Sequence, residues 1–181
     1  MDYESLESLY LRELKDLVSA EKQIIRALPK MIKCATAPKL RDGLEKHLNE
    51  SKTQLERLEK IFARLGKSTR GAKCRGIEGI IEEGAEWMQE DANADVMDAG
   101  IIATAQRIEH YEIASYGCAR TYAGLLQFRE DEVLLDRTLQ EEGNTDKKLT
   151  TLAEKINVKA AETEAPQKTS SNRSAQMAQQ R

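Results

Sequence analysis

The sequence predicts an all-α protein, a four-helix bundle whose long crossover carries a short extra helix. Three observations predict it. Charged residues make up 33% of the 181 residues and aromatic residues only 4%. Gly (10) and Pro (3) are scarce, a profile that favours long helices over sheet. Apolar residues recur three and four apart over four long stretches, the period of one helix face. The mean hydropathy of -0.62 fits helices with one apolar and one solvated side.

The first predicted helix covers residues 3–35, with Leu6, Tyr10, Leu14, Leu17, Ile25, Leu28 and Ile32 as its stripe. Pro29 lies inside it, and an interior proline removes a backbone hydrogen bond, so a kink or break is expected there. The second begins at residue 38 or 39 and ends at 65. Pro38 suits its first turn, Gly66 its stop, and Leu40, Leu44, Leu48, Leu55, Leu58, Phe62 and Leu65 form its stripe. Residues 66–93 form a long connection, basic and Gly-rich at first, with a short amphipathic helix over 77–89 carrying Ile77, Ile80, Ile81 and Met88. The third long helix covers 94–126, with Asp95 in its first turn. The fourth covers 130–158, with Leu134, Leu135, Leu149, Leu152 and Ile156 inward and Gly143 in its middle. A close helix contact or room for a ligand would rationalise that glycine. The apolar pattern stops at residue 159, so 159–181 read as a disordered tail and 1–158 as the bundle. A connection as long as 66–93 can travel the length of a bundle and leave the second and third long helices parallel.

Several function classes are excluded or unsupported. The net charge of -3 comes without a basic stripe, so nucleic acid is not an expected partner. The basic run 67–75 has no aromatic stacking residue. No apolar run reaches a membrane span, and the acidic N-terminus is no signal peptide; a cytoplasmic location is expected. Cys34, Cys74 and Cys118 fit neither a disulfide framework nor a zinc motif and are expected as reduced, buried or half-buried thiols.

The charged residues that share the apolar stripes carry the functional signal. Each helical residue turns the side-chain direction by about 100°. Glu21 stands seven residues after Leu14 and seven before Leu28, which keeps it on their face. Glu109 and Glu112 share the face of Ile101, Ala105, Ile108, Tyr116 and Ala119 and are neighbours three apart. Glu142 falls on the inward face of the last helix, with Asp146 at its edge. On the second helix a polar row of His47, Glu50 and Gln54 runs beside the leucines. Glu50 is roughly 120° off the stripe centre and reaches a core site only if the helix turns that flank inward. Buried carboxylates repel each other and cost several kcal/mol, so they are protonated, paired with Lys or Arg, or bound to metal. The stripes show no central Lys or Arg, and carboxylate-rich sites suit iron or manganese. Tyr10, Tyr111, Tyr116 and Tyr122 read as packing residues.

The segments Ser19-Ala20-Glu21-Lys22-Gln23, His47-Leu48-x-Glu50, Ala105-Gln106-Arg107-Ile108-Glu109-His110-Tyr111-Glu112-Ile113-Ala114 and Leu139-x-Glu141-Glu142-x-x-Thr145-Asp146 resemble the ferritin-like YciE/YciF family over residues 3–156. The resemblance implies a ferritin-like bundle, a homodimer and a role in bacterial stress; nothing in the sequence suggests a ferritin-type cage. It places the family's acidic positions at Glu21, Glu50, Glu109, Glu112 and Glu142; His47 and Asp146 complete the candidate ligands for two Fe or Mn ions per chain. Where ferritins and rubrerythrins have Glu-x-x-His, this chain has Glu50-x-x-Thr53 and Glu142-x-x-Thr145. Two functions follow as expectations: a di-metal protein handling oxygen, peroxide or iron, or a non-enzymatic helical protein with a vestigial or weak metal site.

Overall fold

The computed structural model describes residues 4–162. Its helices are α1 (Leu6–Cys34), α2 (Pro38–Leu65), α3 (Arg75–Trp87), α4 (Ala94–Leu125) and α5 (Arg129–Glu162). No strand occurs among the described residues. The four long helices make the bundle and α3 is the short crossover helix. Local chemistry sets the ends. Ser5 and Ser8 form a reciprocal capping box at the start of α1, satisfying two otherwise orphaned amides. Asn93 caps α4 by accepting from the Val96 amide at 3.0 Å. Pro38 opens α2, and Gly66 closes it at φ 62°, the left-handed region that glycine enters without Cβ strain.

α1 pairs with α2 and α4, and α5 packs on α4 and α2. Tyr10, Leu14 and Leu17 meet Phe62 of α2, Tyr116 and Ala119 of α4 and Leu135 of α5 in one apolar cluster. Ile24, Leu28 and Met31 meet Leu40, Leu44, Ile101, Ile108 and Leu149 in a second. The start of α1 therefore meets the ends of α2 and α4, so α1 runs antiparallel to both and α2 runs parallel to α4, the single-crossover arrangement. α3 docks closely: a Cβ on Gly100 would lie 1.8 Å from Trp87 Nε1, so the indole needs glycine beneath it.

Some expectations change. α1 is not broken at Pro29; that residue is exposed, on the side of the helix where water can take the carbonyl it leaves unbonded. The lower half of the α1 stripe is Ile24, Leu28 and Met31, one residue earlier than Ile25 and Ile32. α5 continues past Val158 to Glu162, so 159–162 are helical; the remainder of the expected tail lies outside the described residues. Cys34 is half-buried and Cys74 buried, but Cys118 is exposed. A Cβ added at Gly143 meets nothing within 4 Å, so no close helix contact holds the glycine there. Gly143→Ala is expected to stabilise the protein by about 1 kcal/mol, read as a Tm rise of roughly 2–4 °C.

Asp98, buried at 1% exposure, ties the α1–α2 turn to α4. Its carboxylate accepts from the Thr36 amide, the Thr36 hydroxyl and the Ala37 amide, each at 2.7 Å. Asp98→Ala strands these donors. The expected loss is roughly 2–3 kcal/mol in urea unfolding, because exposed Thr36 and half-buried Ala37 regain part of the bonding from water.

Candidate metal centre

Between the two apolar clusters lies a polar layer to which all four long helices contribute. Glu21 of α1, Glu109 and Glu112 of α4 and Glu142 of α5 are each 0% exposed, and His47 of α2 is 1% exposed. Ligand atoms of His47, Glu109, Glu112 and Glu142 all lie within 4.8 Å of one another. His47 Nδ1 is 2.9 Å from Glu109 Oε1, and its Nε2 is 3.7 Å from Glu112 Oε2 and 4.0 Å from Glu142 Oε2. None of these approaches is aligned as a hydrogen bond: both His47 nitrogens, both oxygens of Glu109 and Glu112, and one oxygen each of Glu21 and Glu142 have no partner. Glu21 adjoins the group through Glu112, and the Tyr116 hydroxyl donates to its Oε1 at 2.5 Å.

The electrostatics follow from burial. Desolvation and the Glu112 charge push Glu21 well above the usual carboxyl range, against the Tyr116 hydrogen bond and His47. Glu142 is raised well above it by burial and by Glu112 and Glu109. Glu112 is raised by burial, against the pull of His47. Burial opposes charge on His47, but Glu109 and Glu112 outweigh it and raise its pKa well above the usual value. A cluster that holds protons this tightly is short of positive charge.

Helix α2 turns its polar flank inward. Its buried face is Leu40, Leu44, His47, Ser51, Gln54, Leu58 and Ile61, while Leu48 and Leu55 are only partly buried. On that face Glu50 is about 70° from the centre, not 120°, yet it remains marginal. Its carboxylate pairs with Lys46 and accepts from Thr145 Oγ1 at 3.5 Å, outside the central group. Asp146 is outside it too: Gln106 donates to it at 3.1 Å, and His110 Nε2 lies 3.3 Å away. Arg57 is a buried cation that sequence reasoning missed. It is taken up by Glu141, at 2.5 and 2.8 Å, and by Thr138, so it leaves His47 as the cation among the central carboxylates. The tyrosines do more than pack: Tyr10 donates to Asp131, Tyr111 to Asp16 and Tyr116 to Glu21. A small cavity between α2 and α5 borders His47, flanked by Lys46, Glu50, Thr145 and Lys148.

The donor set fits a metal ion. Six carboxylate oxygens and two imidazole nitrogens are buried without hydrogen-bond partners, and carboxylate oxygen with one imidazole suits iron or manganese.

Fold and site define a helical-bundle protein with a buried histidine–carboxylate cluster. Residues 5–162 match the family described as a domain of unknown function, DUF892, and the chain belongs to that family, the YciE/YciF family of the resemblance. It is 40% identical to the protein YciF of Escherichia coli (strain K12) over 162 residues, 88% of this chain and 98% of YciF. The crystal structure of the E. coli stress protein YciF superimposes with TM-score 0.83 at 39% identity, covering 86% of this chain and 99% of that one. YcfI of Rhodopseudomonas palustris superimposes with TM-score 0.80 at 43% identity, covering 83% and 96%. A Xanthomonas campestris protein at 20% identity, TM-score 0.71, with 87% and 96% covered, shares the fold. Among the described residues no helix is long and apolar enough to cross a membrane.

Proposed function

We propose that the chain is a di-metal carboxylate protein that binds iron or manganese and serves in stress through oxygen, peroxide or iron chemistry. The single observation that carries this reading is the set of eight ligand atoms at the bundle's centre that have no hydrogen-bond partner. Buried polar groups are almost always satisfied, and clustered exceptions call for a ligand. Glu21, His47, Glu109, Glu112 and Glu142 would hold the ions. Bound there, iron or manganese would supply electron transfer to oxygen or peroxide. Apolar clusters flank the site: Leu17, Leu58 and Tyr116 belong to one, and Leu44, Ile108 and Leu149 to the other, which would limit the access of water. The description of YciF as a stress protein supports the stress role.

The test is metal analysis of metal-free protein reloaded anaerobically with Fe(II) or Mn(II). Two ions per chain are expected, as in di-metal bundles; less than about a tenth of an ion overturns the reading. One observation favours a second reading, a non-enzymatic helical protein with a weak site. His47 stands among the carboxylates with a raised pKa, and its imidazolium offsets part of their charge without metal. That reading expects no oxygen or peroxide consumption with Fe(II).

A further inference from the structure

We propose that Tyr116 and Gln54 are positioning residues that hold the two outer carboxylates, Glu21 and Glu142, as one-oxygen ligands. This deepens the metal reading and rests on it. Hydrogen bonds are distributed unevenly over the four glutamates. Glu21 accepts on Oε1 from the Tyr116 hydroxyl and leaves Oε2 without a partner. Glu142 accepts on Oε1 from the Gln54 amide and likewise leaves Oε2 free. Glu109 and Glu112, three apart on α4, accept on neither oxygen. The inner pair thus offers four oxygens and the outer pair one each. A carboxylate with one oxygen engaged is held in a fixed direction and favours binding through the other oxygen alone. One with both oxygens free can chelate or bridge.

Both donors are rigidly placed. Tyr116 is 0% exposed and reaches from α4 across to α1. Gln54 makes a second bond, at 3.3 Å, to Glu141 Oε2, and Glu141 is clamped by Arg57 at 2.5 and 2.8 Å. A relay of Arg57, Glu141, Gln54 and Glu142 therefore runs between α2 and α5 from the edge of the bundle to its centre. Phenol and amide are both neutral donors; they orient the carboxylates without cancelling the negative charge that would attract a cation. Such supporting hydrogen bonds typically carry 10–100-fold in metal affinity.

The experiment titrates the full chain, freed of metal, with Co(II) as a spectroscopic probe. Wild type, Tyr116→Phe and Gln54→Leu are compared. Each variant is expected to bind Co(II) about tenfold or more weakly and, at saturation, to show a visible band of altered intensity, because the freed second oxygen changes the coordination number. Either variant decides the question if the other fails to fold. If both fold and match wild type in affinity and saturated spectrum, with only the metal-free Tm changed, the positioning role is overturned and the two residues are structural. A wild type that takes up no Co(II), Mn(II) or Fe(II) overturns the metal reading itself, which separates the two failures.

Discussion

Metal-free protein is expected to lose stability as pH rises from about 5 to 8, and Mn(II) is expected to reverse the trend. Glu21, Glu112 and Glu142 have folded-state pKa values raised by burial and by one another. The unfolded chain releases these protons near pH ~4.3 while the folded chain still holds them. Above that pH the folded state binds more protons, so stability falls as pH climbs. His47 acts in the same sense. Despite burial, its pKa is raised by Glu109 and Glu112, so its contribution is complete below the unfolded value of about 6.5 and is lost as pH rises through the folded value. Glu141 opposes the trend only at lower pH. Arg57 outweighs burial and lowers its pKa, so its contribution is lost as pH falls through that lowered value, below the window. Metal binding requires deprotonated ligands, so the increment from Mn(II) grows with pH. With Mn(II) at one hundred times its dissociation constant the increment is about 2.7 kcal/mol, roughly 5–10 °C in Tm for a chain of this size. Calorimetry at pH 5, 6, 7 and 8, with chelator or with Mn(II), reads both slopes. A metal-free Tm that climbs steadily to pH 8 would count against the proton-loaded cluster.

The parts of this centre that can be read from the sequence are those set by period alone. Glu21 stands a heptad from both Leu14 and Leu28, and all three are buried. Glu109, Glu112 and Glu142 follow in the same way from long, uninterrupted helices. α2 misleads because Leu48 and Leu55 pull the expected face toward a flank that is only partly buried. The true inward row, His47, Ser51 and Gln54, is polar and looks like a solvated side. Arg57 was overlooked for the same reason. Contacts between distant residues leave no local trace at all. Tyr116 and Glu21 are 95 positions apart, and Asp98 meets the Thr36 amide across 62; only the packed bundle brings them together.

Glu142→Gln separates the cost of the centre from its use. The substitution keeps the shape and keeps a carbonyl oxygen to accept from Gln54, which now bonds Glu142 Oε1. It replaces the unpartnered Oε2 with an amide donor facing Glu109, Glu112 and His47. The proton that the folded state must keep on Glu142 as pH rises is no longer needed and the neighbouring groups gain a hydrogen bond, so the metal-free variant is expected to be more stable than wild type at pH 8 by about 1–2 kcal/mol, with a shallower pH slope. Its response to metal moves the other way. Removing a charged ligand is expected to weaken Mn(II) binding at least 100-fold, as a lower bound set by the effect of mere supporting groups. At the Mn(II) concentration that stabilises wild type by about 2.7 kcal/mol, a site weakened 100-fold contributes only about 0.4 kcal/mol. Glu50→Gln is the control, because Glu50 pairs with Lys46 outside the cluster and its loss leaves the Mn(II) increment intact. A Glu142→Gln protein that is more stable without metal, yet as responsive to Mn(II) as wild type, would mean that Mn(II) binds elsewhere. The central carboxylates would then be a structural charge cluster balanced by His47.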